Sequence, residues 1–137
     1  MSVKWFLPAF AWFIVSFILL VLPGNDLPHN DFFDIPYFDK WVHTGMFFLL
    51  SALFSFPFTT SRYDAQTVRG WFVTVATSVV VYGIAMEFVQ KYFTVGRSFD
   101  VIDIIFDTIG SLLGWAGTSI YYGKKIGPDG NRGRNQN

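Results

Sequence analysis

The sequence predicts an all-α polytopic membrane protein, a four-transmembrane-helix bundle. Three observations carry that reading. Of 137 residues, 52% are hydrophobic and 20% aromatic while only 15% are charged, far from an average soluble domain. The apolar residues come in long runs rather than on alternating faces. Four runs, about residues 3–22, 41–58, 71–92 and 101–122, approach the ~20 helical residues that cross a ~30 Å hydrocarbon core. No soluble domain fits between them: residues 1–122 read as one transmembrane domain, and 123–137 as a basic tail.

The first run is expected to be a retained helix rather than a cleaved signal. Its apolar stretch exceeds a normal signal core, and PGND follows where small residues would mark a cleavage site. PGNDLPHNDFFDIPYFDK (23–40) then carries three prolines and four aspartates, which makes it a loop. His29 and those aspartates could hold a metal, but a solvated loop with its aromatics on the membrane surface is the expectation. TTSRYDAQTVR (59–69) links the second run to the third, and KYFTVGRSFD (91–100) the third to the fourth. The tail GKKIGPDGNRGRNQN has the composition of a disordered segment. Trp5, Trp41 and Trp71 stand at run edges, as interfacial anchors do. The lack of cysteine excludes disulfides, thiolate metal sites and cysteine nucleophiles.

Lysine and arginine set the expected orientation. Lys4, Arg62, Arg69, Lys124, Lys125, Arg132 and Arg134 fall on one side, and Lys40, Lys91 and Arg97 on the other. This predicts both termini in the cytoplasm, which in a bacterium makes the membrane the cytoplasmic (inner) one. The basic tail suits contact with anionic membrane lipids.

The polar residues inside the spans follow helical faces. At 100° per residue, Asp103, Asp107, Gly110, Gly114 and Gly117 fall within about 80° of arc. One face of the fourth helix is thus acidic at one end and glycine-lined further in, and such glycines admit a close neighbour. In the third helix Gly83, Glu87 and Gln90 share a face that Ala76 and Val80 continue. In the second, Asp39, Lys40, His43 and Phe47 do. All three polar faces lie near the ends expected to face outward, which predicts one shallow pocket there.

An ionised side chain at a helix centre costs roughly 2.5–3.5 kcal/mol to insert. Asp39, Glu87, Asp100, Asp103 and Asp107 face only Lys40, Lys91 and Arg97 locally, with those basic residues expected to pair with them. The surplus negative charge calls for a shared proton, a divalent cation or a cationic ligand group.

FDKWVHTGMFFLLSALF, EFVQ and GRSFDVIDIIFDTIGSLLG together resemble the VanZ-like family of small bacterial membrane proteins. The matching positions are Asp39, Lys40 and His43, then Glu87 and Gln90, then Arg97, Asp103, Gly110 and Gly114. The likeness covers about residues 38–118. Where that family usually has Asn, this chain has Asp107. The resemblance implies a role in the cell envelope, because the namesake is associated with low-level resistance to the lipoglycopeptide teicoplanin.

Three functions follow as expectations. The first is a binding protein whose pocket of Asp39, Lys40, His43, Glu87, Gln90, Arg97, Asp103 and Asp107 recognises an amphiphile. The candidates are a lipid-linked cell-wall precursor, a phospholipid or a lipoglycopeptide, with no cofactor required. The second is a hydrolase acting on lipid, with a divalent cation on His43, Glu87, Asp103 and Asp107 activating water. The third is a proton or ion transporter, disfavoured because charges confined to the helix ends leave no polar route across the inner half. Gly83, Gly110, Gly114 and Gly117 are read as packing positions. No nucleotide-binding loop, serine triad or nucleic-acid surface is present.

Overall fold

The computed structural model describes residues 2–23 and 38–127. Four α-helices follow one another: α1 (Leu7–Val21), α2 (Phe38–Ser55), α3 (Ala65–Phe93) and α4 (Val101–Ile126). A 3-10 turn, Val3–Phe6, leads into α1, and another, Phe56–Thr60, extends α2. No strand occurs among the described residues. With these turns, all four helices are long and apolar enough to cross a membrane, so the expected all-helical, four-span fold is the one formed. The first-loop metal reading at His29 and the disordered tail fall outside the described residues.

The helix limits depart from the apolar runs for local reasons. Pro8 lies in the first turn of α1, where its missing N–H costs no hydrogen bond. α2 starts at Phe38, ahead of its apolar run, with Asp39 in the first turn near the positive end of the helix dipole. Pro57 ends its α geometry in a 3-10 turn. α3 begins at Ala65 because Asp64 caps it, its carboxylate accepting from the Thr67 N–H at 2.9 Å. That bond holds the Asp64 carboxyl below the usual carboxylate range. α4 is capped by Asp100, which accepts from Ile102 N–H at 2.8 Å. It runs on to Ile126, and Lys124 and Lys125 in the last turn suit the negative end of its dipole.

Contacts across the bundle show neighbours alternating in direction. At one end Phe6 meets Phe58 edge-on at 5.6 Å, Phe58 stacks on Trp71 at 5.2 Å, and Lys125 Nζ donates to the Thr59 carbonyl at 3.1 Å. At the other, Gln90 Nε2 donates to the Leu20 carbonyl at 2.9 Å and Lys40 reaches Asp100 at 2.7 Å. The end of α1, the start of α2, the end of α3 and the start of α4 therefore share one level.

The α2–α4 seam is the most extensive contact. A Cβ at Gly110 would collide with the Thr44 carbonyl, and one at Gly114 would sit 2.6 Å from the Phe48 carbonyl oxygen. Backbone therefore meets backbone at both positions. Gly83 does the same for a side chain: a Cβ there would lie 3.0 Å from Asp107 Oδ2 and 3.0 Å from the Phe47 ring. Gly117 is a correction. It is exposed, with nothing within 4 Å of an added Cβ, and Thr118 takes the buried place on α4. On α3, Val79 rather than Val80 continues the buried face.

α1 is peripheral. Only 17% of its spanning window is buried, against 50% for α2. It is held by Trp12 Nε1 donating to the Met46 carbonyl at 3.1 Å, by Gln90, and by aromatic contacts such as Phe13 on Tyr82 at 5.0 Å.

Candidate functional site

The polar residues from three helices do meet. Lys40 Nζ donates to Asp100 Oδ2 at 2.7 Å and to Asp103 Oδ1, and lies 3.4 Å from Asp39 Oδ2. Lys40 is buried, so an ammonium group sits among three aspartates. One turn deeper, His43 Nδ1 and Asp107 Oδ1 are 2.9 Å apart, both buried. With its proton on Nδ1 the ring donates to the carboxylate. Glu87, 1% exposed, accepts from the backbone N–H of Asp100 at 2.8 Å and so ties α3 to the first turn of α4.

Local sequence explains the convergence. Lys40 and His43 stand three residues apart on α2, and Asp103 and Asp107 four apart on α4, so each pair shares a face. The glycines draw those two faces together. A larger residue at Gly83 would push Asp107 away from α3.

Four of the eight expected site residues, Lys40, His43, Asp103 and Asp107, are paired across the α2–α4 seam. Asp39 stands at the rim with a largely exposed side chain. Glu87 sits beside the cluster, bonded to Asp100. Gln90 belongs to another contact, bonding α1 through Leu20. Arg97 corrects the expectation of local pairing: no ion pair joins it to Glu87, Asp100 or Asp103 among the described residues. Its Nε is buried without a hydrogen-bond partner. Lys91 also stays off the acids, with its Nζ 5.2 Å from the Tyr92 ring centre and 5.9 Å from that of Phe99.

Asp100 is the member that the expected pocket left out. Its side chain caps α4, accepts from Lys40, and lends its N–H to Glu87. The Lys40 ammonium and the Ile102 N–H hold its carboxyl below the usual range. An aspartate directly before an apolar run was the available signal, because that is where an N-cap belongs.

The metal reading does not fit this arrangement. Among the described residues no three His, Asp or Glu side chains come together as a metal-binding set. Lys40 occupies the carboxylates of Asp100 and Asp103, and His43 that of Asp107. Asp103 is bonded to the Lys40 ammonium and Glu87 to a backbone amide, so the four side chains do not form one ligand set.

Two further features went unread in the sequence. Ser51 and Ser55 of α2 and Ser111 of α4 are fully buried. Ser111 donates to the Ala76 carbonyl at 3.0 Å, whereas the Ser51 and Ser55 hydroxyls have no partner. A cavity of about 310 Å³ lies between α1, α2 and α3, bounded by residues that include Phe6, Phe13, Phe54, Phe58, Trp71 and Tyr82. None of the polar cluster lines it.

The family model described as VanZ/LLP1 matches residues 5–122. The chain belongs to the VanZ/LLP1 family. This VanZ-family chain is also 29% identical over 113 residues to an uncharacterized protein of Schizosaccharomyces pombe, a match covering 82% of the chain and 66% of that relative. The chain thus spans just under two thirds of the relative's length. No solved structure matches it.

Proposed function

We propose that this VanZ-family protein is a non-catalytic binder of amphiphiles that meets an anionic headgroup at the Arg97 end of the bundle. The supporting observation is the charge ledger of the cluster. Lys40 and His43 are engaged by aspartates, and Glu87 by a backbone amide. Arg97 carries a guanidinium with a buried, partnerless Nε beside the segment that Glu87 anchors. A planar fork of donors suits a phosphate or carboxylate, and a site at the end of a span suits a headgroup whose chains lie in lipid.

The ligand class is a phospholipid, a lipid-linked cell-wall precursor or a lipoglycopeptide. The similarity to a Schizosaccharomyces pombe protein favours an amphiphile not confined to bacterial walls. In this reading both termini are cytoplasmic, the Arg97 end faces outward, and binding there alters envelope susceptibility. Because the chain has no cysteine, single Arg62→Cys and Ser98→Cys variants report orientation: an impermeant thiol reagent added to intact cells should label only Ser98→Cys.

Ligand binding is tested by thermal unfolding of the purified full chain with polyprenyl diphosphate or a lipoglycopeptide. At least one should stabilise the native chain. Arg97→Ala and Glu87→Gln should each remove the effect, one by deleting the fork and the other by loosening the segment that presents it. Stabilisation that persists in both variants would refute the assignment.

A further inference from the structure

We propose that the cavity between α1, α2 and α3 is a lateral groove for one acyl chain of an anionic phospholipid, drawn from the leaflet at the basic end of the bundle. This site is separate from the Arg97 end and stands whether or not that end binds a headgroup.

The groove is left unfilled by its own side chains, and water has little to gain there. It is walled by aromatic rings and lies within the spans, where the surrounding medium is hydrocarbon. The hydroxyls along it are already used. The Thr74 hydroxyl donates to the Gly70 carbonyl at 3.1 Å and Ser78 to the Thr74 carbonyl at 2.8 Å. Tyr82 OH lies 3.4 Å from Ser16 Oγ. A water needs two to four polar partners to settle in a cavity, and an empty apolar space forfeits dispersion contacts along its walls. The apolar molecule at hand in a bilayer is a lipid chain.

Length and charge identify which lipid. On α3 the groove runs from Trp71 to Tyr82, about 16 Å at the helical rise. That is about half of a ~30 Å hydrocarbon core, the depth of one leaflet, and too narrow a space at about 310 Å³ for a helix about 10 Å across. Its Phe6–Trp71 end lies at the end of the bundle that carries Lys4, Arg62, Arg69, Lys124 and Lys125. Among the described residues at that end Asp64 is the sole carboxylate. Phe58, stacked on Trp71 and edge-on to Phe6, walls that end of the groove. An anionic headgroup at the basic surface with one chain following the groove to the midplane satisfies both halves.

The test is native mass spectrometry of the full chain after incubation in mild detergent with phosphatidylglycerol or phosphatidylcholine. The native chain should retain one phosphatidylglycerol at least fivefold more than phosphatidylcholine. Ser78→Trp or Thr74→Phe, which fill the groove, should cut retention tenfold or more. Val81→Trp, on an exposed face of α3 outside the groove, should leave it unchanged, as should Arg97→Ala. Joint Lys4→Ala and Arg69→Ala should level the two lipids. Native-like retention in both filling variants overturns the proposal, as does equal retention of both lipids by the native chain. A native dimer that Ser78→Trp splits would assign the groove to a second copy and overturn it too.

Discussion

The α2–α4 seam and the attachment of α1 are built on opposite terms. At the seam, backbone contact at Gly110 and Gly114 brings charged residues close enough to pair, and the pairs are buried. α1 rests on rings and a few side-chain-to-carbonyl hydrogen bonds, and leaves a cavity beside it. The difference follows from the medium. Lipid is as apolar as leucine, so apolar faces gain little by leaving it for one another. Close packing and polar pairing are what hold helices together in a bilayer. α2 and α4 have both, and α1 has little of either, so its contacts are the ones that can part for a lipid chain.

The comparison breaks most sharply at the glycines. Gly114→Leu must displace the Phe48 carbonyl and the Ser51 side chain, which separates α2 from α4. The expected outcome is a destabilisation of several kcal/mol, beyond the usual 1–3 for overpacking because backbone cannot repack, seen as loss of the folded monomer in detergent. The same change at Gly117, which meets nothing, should be tolerated. Equal damage at both positions would mean that the seam is not the organising contact.

Charge pairing comes next. Lys40→Met strands Asp103 without its cation, and breaking a buried pair from one side costs about 3–5 kcal/mol. Lys40→Met with Asp103→Leu should recover a large part of that loss, because no buried unpaired charge then remains at the pair, Asp39 and Asp100 being open to solvent. Unfolding in mixed micelles reads both. A double variant as unstable as the sum of the two singles would show that the pair is not coupled. At α1 the stakes are smaller: Gln90→Leu removes the donor to the Leu20 carbonyl at an expected cost of about 0.6 kcal/mol, the average for a hydrogen bond between membrane helices.

What the sequence disclosed follows the same division. A long apolar run permits few structures, so four spans were legible from composition alone. Gly110 and Gly114 were legible because helical periodicity fixes which residues share a face. The arc also swept in Gly117, which lies at the margin of the buried stripe, where Thr118 is the residue that packs. Asp100 escaped because hydropathy starts α4 one residue later, at Val101, and does not see a cap. The partners of Arg97 and Lys91 depend on the path of a loop and the ends of long side chains, and periodicity constrains neither. The groove depends on how α1 leans against α2 and α3, which no single helix encodes.

The smallest effect expected at the seam is at its rim. Asp100 is about a third exposed at its side chain and is bonded to Lys40 at 2.7 Å, so solvent screens the pair and its worth is at most about 1 kcal/mol. Its folded pKa lies below its ordinary value. A depressed carboxylate contributes stability that is fully present above the unfolded pKa and is lost as the pH falls through the folded one. The native chain should therefore lose this contribution only on acidification below the ordinary aspartate value of 3.8. Asp100→Asn keeps an N-cap acceptor and removes the charge. It should lower stability at neutral pH by a few tenths of a kcal/mol and flatten that part of the acid limb, while the buried Lys40–Asp103 contact holds α2 to α4. An unaltered acid limb in Asp100→Asn would mean that the rim aspartate carries none of the pairing, and that Lys40 is held by Asp103 alone.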